Sequence, residues 1–351
     1  MARSLSLILA AVLLAACQRH GDAVQERLQA FGSETDIEIR GSPRDEAMLA
    51  IADAAQLLNQ REREWHAWEA SDLTRINAAL RSGRTAPAPP SIVAMLERAE
   101  PLVRSSDGLF DPAVGGLVEL WGFHTSEFPV HTPPPTLAQI EAWRARTPNL
   151  SQLRIDGNRL RTNNRALQLD FNAIAEGMAS DEIARRFRQR GVRHALIGMG
   201  GDVYALGDGD GEPWQVGMKD PYGGALGWVE LGDGEAFYNS GNYNKFREGV
   251  DGARWGHILD PRTGMPARGA AAAAVLHRDP VLADAASTAL MVGGPASFEK
   301  LVRQMKLGCA LMVTEENELL ITTALRKRMR FIREPIALGE PLDLGPDCSP
   351  R

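Results

Sequence analysis

The stretch from Trp255 to Gly294 constrains this chain more than any other, because it sets a histidine, a fixed turn, a strand and a helix in immediate succession. Its opening, Gly256-His257-Ile258-Leu259-Asp260-Pro261-Arg262-Thr263-Gly264, separates two polar groups by two apolar residues and closes on a tight-turn sequence. A short strand ending in that turn would present His257 and Asp260 at its rim. Ala270 to Leu276 then reads as an alanine-rich strand, and Ala283-Asp284-Ala285-Ala286-Ser287-Thr288-Ala289-Leu290 has helical composition with no breaker before Gly293. Asp284 and Thr288 are four apart, so they share one helix face.

That face suits a hard cation, since magnesium takes one or two protein carboxylates and completes its shell with water and phosphate oxygens. A plainer alternative stays open: Asp284 capping the helix start and Thr288 bonding back to a carbonyl. His257 by itself reads equally as a satisfied hydrogen-bonding residue or as a base.

The chain begins with Arg3 and an apolar run from Leu5 to Ala16, too short to span a bilayer as a helix, ending Leu14-Ala15-Ala16-Cys17. This resembles a bacterial lipobox, with cleavage before Cys17, acylation of its thiol, and a domain tethered on the periplasmic side of the membrane. Gln18 as the second mature residue favours the outer membrane. Cys309 sits in an apolar run and Cys348 in a Pro-rich tail, which suggests neither a disulfide framework nor a thiolate metal site. A net charge of −6 with one basic cluster, Arg326-Lys327-Arg328, argues against nucleic acid as a partner.

Arg19 to Gln29 is polar and suits a tether, and Phe31 to Ile39 alternates like a first strand. Ala47, Ala50, Ile51, Ala54, Leu57 and Leu58 recur at helical spacing. Trp65 to Asn77 reads as a polar loop whose two indoles either stack on a flat ligand or fill the core edge. Ser91 is expected to cap the helix marked by Ile92, Met95, Leu96, Ala99, Leu102 and Val103. Leu109 to Phe123, with its glycines and proline, reads as a shaped loop lining a ligand. Ile155 to Leu160 is a hairpin signal. Leu169 to Asp181 reads as strand, turn and helix, followed by a buried strand, Ala195 to Met199, that Gly200-Gly201-Asp202 breaks. A helix start beside a double glycine offers backbone N–H groups to phosphate oxygens. No G-x-G-x-x-G or Walker loop is present, and Gly207 to Gly211 reads as a hairpin tip without calcium-loop spacing.

These residues resemble one family, the ApbE-type FAD:protein FMN transferases, periplasmic flavin transferases once labelled thiamine-biosynthesis lipoproteins. The resemblance runs from about Phe31 to Glu316. It rests on Gly108-Leu109-Phe110-Asp111 with Leu120-Trp121-Gly122-Phe123, Asp170 to Gly177, Gly200-Gly201-Asp202, Ser240-Gly241, His257 with Asp260 to Gly264, and Ala283 to Thr288. It implies an α+β, T-fold-like architecture of two interleaved lobes of mixed, largely antiparallel sheet packed by helices, with a ligand cleft between them. It divides the chain into a signal peptide (1–16), a tether (17–30), a flavin transferase domain (31–333) and a Pro-rich C-terminal tail (334–351).

By resemblance, Asp284, Thr288 and the carbonyl of Ala175 hold magnesium. Trp68, Phe110, Asp111, Asn172, Glu176, Gly200, Gly201, Asp202, Ser240 and Asp260 line the flavin nucleotide. His257 activates a Thr or Ser hydroxyl of an acceptor protein carrying an Asp-x-x-Ser/Thr-Gly-Ala/Ser-Thr-like motif. FMN passes from FAD to that hydroxyl and AMP leaves; Asp260 would be placed to orient the histidine ring. Position 176 is usually lysine in the family and is glutamate here, which either weakens FAD binding, alters specificity or is compensated by a nearby Arg or Lys. Two other functions fit the same residues: a magnesium-dependent FAD pyrophosphatase yielding FMN and AMP, and a lipoprotein that binds FAD without turnover.

Overall fold

The computed structural model describes residues 23–349 apart from 250, 251, 253, 334 and 338. The signal segment, Cys17 and the beginning of the tether lie outside the described residues. Val24–Ala30 (β1) and Ser33–Arg40 (β2) are followed by Arg44–Trp65 (α1), Asp72–Arg81 (α2), Ala86–Pro87 (β3) and Pro90–Ser105 (α3). Two short helices, Gly115–Leu120 (α4) and Leu137–Arg144 (α5), precede the hairpin Leu153–Asp156 (β4) and Arg159–Thr162 (β5), then Ala175–Gln189 (α6). Next come His194–Met199 (β6), Asp202–Leu206 (β7), Trp214–Lys219 (β8), Ala225–Leu231 (β9) and Ala236–Gly241 (β10). Four short strands follow, Phe246–Glu248 (β11), Arg254–Gly256 (β12), Leu259–Asp260 (β13) and Met265–Pro266 (β14). The remainder is Ala270–His277 (β15), Pro280–Gly293 (α7), Phe298–Gln304 (α8), Cys309–Thr314 (β16), Glu318–Ile321 (β17), Thr323–Arg328 (α9), Arg330–Phe331 (β18) and Ile336–Ala337 (β19).

Nine strands form one sheet in the order β1-β2-β6-β7-β10-β15-β16-β17-β19, antiparallel except for the final β17/β19 pair. The alanines of β15 follow from its central place in it. Ala273 and Val275 point into a core shared with Ala283, Ala286 and Leu290 of α7. Ala272, Ala274 and Leu276 point the other way, against Trp214 and Val216 of β8. A strand covered on both faces is apolar on both, and small side chains let a helix approach closely. A third, smaller core of Leu117, Trp121, Phe123, Val130, Ile140, Trp143 and Leu259 draws on two distant chain segments. It packs α4 and α5 against β13, and the whole is the mixed α+β, largely antiparallel architecture that the resemblance implies.

Several expectations change. The tether does not extend to residue 30, because β1 pairs with β2 from Val24 onward. It looks polar because it is an edge strand whose outward residues pair across it, Arg27 to Asp36 at 2.6 Å and Gln25 to Glu38 at 2.8 Å. The loop expected over Trp65 to Asn77 is shorter, residues 66–71: Trp65 ends α1 and Asp72 opens α2, whose capping box joins Ser71 and Thr74. Trp65 is a core residue, its Nε1 donating to Ser91 Oγ at 3.2 Å. Ser91 therefore does not cap α3; Pro89 precedes the helix and Pro90 opens it. The loop from Leu109 to Phe123 contains the short helix α4. Leu169 belongs to no strand: α6 is preceded by turns, with one isolated bridge at Gln168. Gly207 to Gly211 connects β7 to β8, which belong to different sheets, so it is not a hairpin tip.

Cys309 and Cys348 form a disulfide across 39 positions. Sequence spacing conceals the pairing because only the fold brings the tail back against β16. The tail is docked further by Thr323 N–H to Leu342 O at 2.9 Å and Leu342 N–H to Ile321 O at 2.9 Å.

Candidate active site

The end of β10, the β6–β7 turn, the start of α6, one face of α7 and the link between β12 and β13 converge on a cavity of about 390 Å³. Trp68, Phe110, Asp111, Asn172, Ala175, Glu176, Gly200, Gly201, Asp202, Ser240, His257, Asp284 and Thr288 all line it. The Gly200-Gly201 turn reaches φ values of 59° and 110°, the second open only to glycine at little cost.

Asp260 is the expected site residue that does not line this cavity. Its carboxylate accepts from Arg262 Nε and Nη2, both at 2.9 Å, and from the Arg262 backbone N–H at 2.9 Å. The Pro-Arg-Thr-Gly turn folds its own arginine back onto Asp260, so Asp260 holds the turn rather than the histidine ring. Asp111 does line the cavity, yet both its oxygens are taken, by Ala113 N–H at 2.8 Å and Leu150 N–H at 3.1 Å. Burial pushes its carboxyl up to about 6.

The capping alternative for Asp284 falls away, because Asp279 caps α7 by accepting from the backbone of Val281 and Leu282. Asp284 lies in the body of α7, and its Oδ2 accepts from Gly177 N–H of α6 at 2.9 Å. The two helices approach this closely because residue 177 has no side chain: a Cβ there would sit 2.6 Å from Pro280 O. Thr288 Oγ1 lies 3.3 Å from Ser240 Oγ, and Ser287, not Thr288, bonds back to the Asp284 carbonyl at 2.9 Å.

Three acids share this wall. Burial, then Glu176 and Asp284, push Asp202 well above the usual carboxylate range, and burial with Glu176 does the same to Asp284. Burial raises Glu176 to about 7, while Lys245 and a hydrogen bond with Ser33 pull it down. Buried carboxylates in mutual repulsion favour binding a proton or a cation. Among the described residues no cluster of three His, Cys, Asp or Glu is shaped for a metal. The expected set is of another kind, one carboxylate, one hydroxyl and one carbonyl, which is hard-cation chemistry.

His257 Nδ1 lies 3.1 Å from Lys245 O. A carbonyl only accepts, so Nδ1 carries the proton and Nε2 is left with a free lone pair. Burial, reinforced by the Lys245 ammonium and opposed by that hydrogen bond and Asp170, lowers the imidazole to about 4. The ring is therefore neutral at physiological pH and able to accept a proton.

Several further residues line or border the cavity. Lys219 and Lys245 are the cavity's lysines, and Tyr243 lines it beneath Lys219, whose Nζ sits 5.2 Å from the ring centre. Asn239 ties Gly201 O (3.1 Å) to Asp202 (2.5 Å). Asp170 lines the cavity and meets His124. The Asn242-Tyr243-Asn244-Lys245 run directly after Ser240-Gly241 was the available signal, but no spacing rule marks a lysine on an irregular segment.

The sequence profile of the ApbE family matches residues 31–313. A FAD:protein FMN transferase of Rhodobacter capsulatus is 36% identical over 313 residues, covering 88% of this chain and 59% of the relative. The FAD:protein FMN transferase of Escherichia coli (strain K12) is 34% identical over 221 residues, covering 61% of this chain and 62% of the relative. The match thus spans about 60% of the length of these relatives. The apo structure of Pseudomonas stutzeri flavinyl transferase ApbE superposes with a TM-score of 0.76 at 31% identity, covering 88% of this chain and 97% of that one. With its sheet order, cavity and motif residues in place, the chain belongs to the ApbE family.

Proposed function

We propose that this chain transfers FMN from FAD to a Thr or Ser hydroxyl of an acceptor protein, releasing AMP. The named activity of its relatives supports this, and one observation carries it: a histidine locked with Nε2 free lines the same cavity as a hard-cation donor set. The acceptor hydroxyl attacks the FMN-side phosphorus, the bond from that phosphorus to the AMP oxygen breaks, and the hydroxyl proton passes to His257 Nε2. A neutral, fixed imidazole in this role contributes roughly 10²–10⁴-fold in rate. Lys219 and Lys245 offset phosphate charge, and Lys245 also relieves the glutamate at position 176.

Asp284, Thr288 and the Ala175 carbonyl fit magnesium, the raised proton affinity of buried Asp284 marking a place where positive charge is wanted. When bound there, magnesium would withdraw charge from the diphosphate. We further propose that acylated Cys17 anchors the domain to the periplasmic face of a bacterial membrane, the outer one by residue Gln18, and that the acceptor presents the flavinylation motif there.

The test is AMP release from FAD by the chain lacking residues 1–17, with and without magnesium and an acceptor peptide. Magnesium-dependent AMP with flavinylated peptide, lost in Asp284→Ala, supports the transferase. AMP with free FMN in the presence of peptide would replace it with the pyrophosphatase, and bound FAD without AMP would leave a binding protein.

A further inference from the structure

Trp68 lines the cavity, while His124 lies against it without lining the cavity. The two rings are stacked, centroids 5.5 Å apart and 19° from parallel. His124 Nε2 lies 3.0 Å from Asp170 Oδ2, with the side chains only 9% and 5% exposed. Asp170 is itself fixed twice, its Oδ1 accepting from Asn172 N–H at 2.9 Å and its own N–H donating to Pro112 O at 2.8 Å. His66 meets the indole edge-on at 4.4 Å and 69°, and its Nδ1 accepts from the backbone N–H of Glu69 at 2.9 Å. The indole is thus braced from behind and from the side. A second general base is a poorer account of His124, because its Nε2 is committed to Asp170 and the ring is set back from the cavity.

We propose that Asp170, His124 and Trp68 form a positioning stack, in which His124 backs the indole so that its cavity-side face receives a planar heteroaromatic ring of the dinucleotide. His124 is a positioning residue, acting through Trp68. The proposal rests on FAD being the ligand of this cavity.

The experiment titrates FAD into the soluble chain, read by flavin fluorescence quenching, for wild type, H124A, H124F, W68A and W68A/H124A, with kcat at saturating FAD alongside. H124A is expected to weaken FAD binding roughly 2- to 10-fold, the worth of one aromatic contact, with kcat within about twofold. H124F, which keeps a flat ring, recovers at least about half of that loss, and H124A has no further effect in the W68A background. Losses that add in the double variant, an unchanged affinity in H124A, or a large fall in kcat at saturation would each overturn the stack. Should H124A fail to fold, H124F binding FAD more tightly than H124Q supports it and the reverse order overturns it. Wild type that binds no FAD overturns the transferase reading together with the stack, whereas wild type that binds FAD with additive losses overturns the stack alone.

Discussion

His257, the proposed base, shows how much of a side chain's chemistry is set by neighbours remote in sequence. Its ring is held by a carbonyl twelve positions upstream, and burial, reinforced by the same residue's ammonium, keeps the ring uncharged. His257→Ala is expected to slow AMP release roughly 10²–10⁴-fold while FAD affinity stays close to wild type. Because the folded ring titrates at about 4 against 6.5 for a free histidine, only the unfolded chain binds this proton between those values. Stability therefore falls as pH drops through that window, by at most about 3 kcal/mol, and is fully present above it. Urea unfolding of wild type and His257→Asn at about pH 5 and pH 7 should show the variant losing less stability on acidification. Lys245→Met leaves the carbonyl in place but removes the ammonium. It should weaken FAD binding and move the acid limb of the pH–rate profile upward, since the Lys245 charge lowers His257.

At the scale of elements, the crossing of α6 and α7 decides where Asp284 points. Gly177 sits at the closest approach, donates to Asp284, and has no room for a Cβ beside Pro280 O. Gly177→Ala should cost about 1–3 kcal/mol by overpacking and, by displacing that N–H, should raise the magnesium concentration needed for half-maximal AMP release. Thermal unfolding and a magnesium titration of one preparation measure both. The β6–β7 turn works alongside, its glycines letting the chain turn directly over the Glu176 carboxylate, so that a Cβ at Gly200 would lie 3.1 Å from its Oε1.

Across the whole molecule, the Cys309–Cys348 disulfide ties the tail to β16 in a core that meets the cavity at Tyr243, while neither cysteine lines the cavity itself. Closing a loop of 39 positions stabilises the fold by about 3–4 kcal/mol on chain-entropy grounds. Cys348→Ser, or reduction, should lower Tm by several degrees while leaving FAD affinity unchanged. A loss of FAD binding on reduction would show that the effect of releasing the tail reaches the cavity through Tyr243. Among the described residues no helix is long and apolar enough to cross a membrane.

What the sequence determined by itself was periodic or local. The apolar face of α1, the alanine strand β15, the uninterrupted α7 with Asp284 and Thr288 on one side, and the double-glycine turn are all legible because side-chain period and backbone freedom are properties of a short stretch. The tertiary structure decided whatever depends on which distant segments meet. A polar N-terminal segment became an edge strand because β2 was there to pair with it, and two cysteines became a bridge because the tail returns to β16. Asp260 went to its own turn's arginine, leaving His257 to the Lys245 carbonyl. Each of these outcomes was settled by competition among hydrogen-bond partners within reach in space, and spacing along the chain does not record that reach.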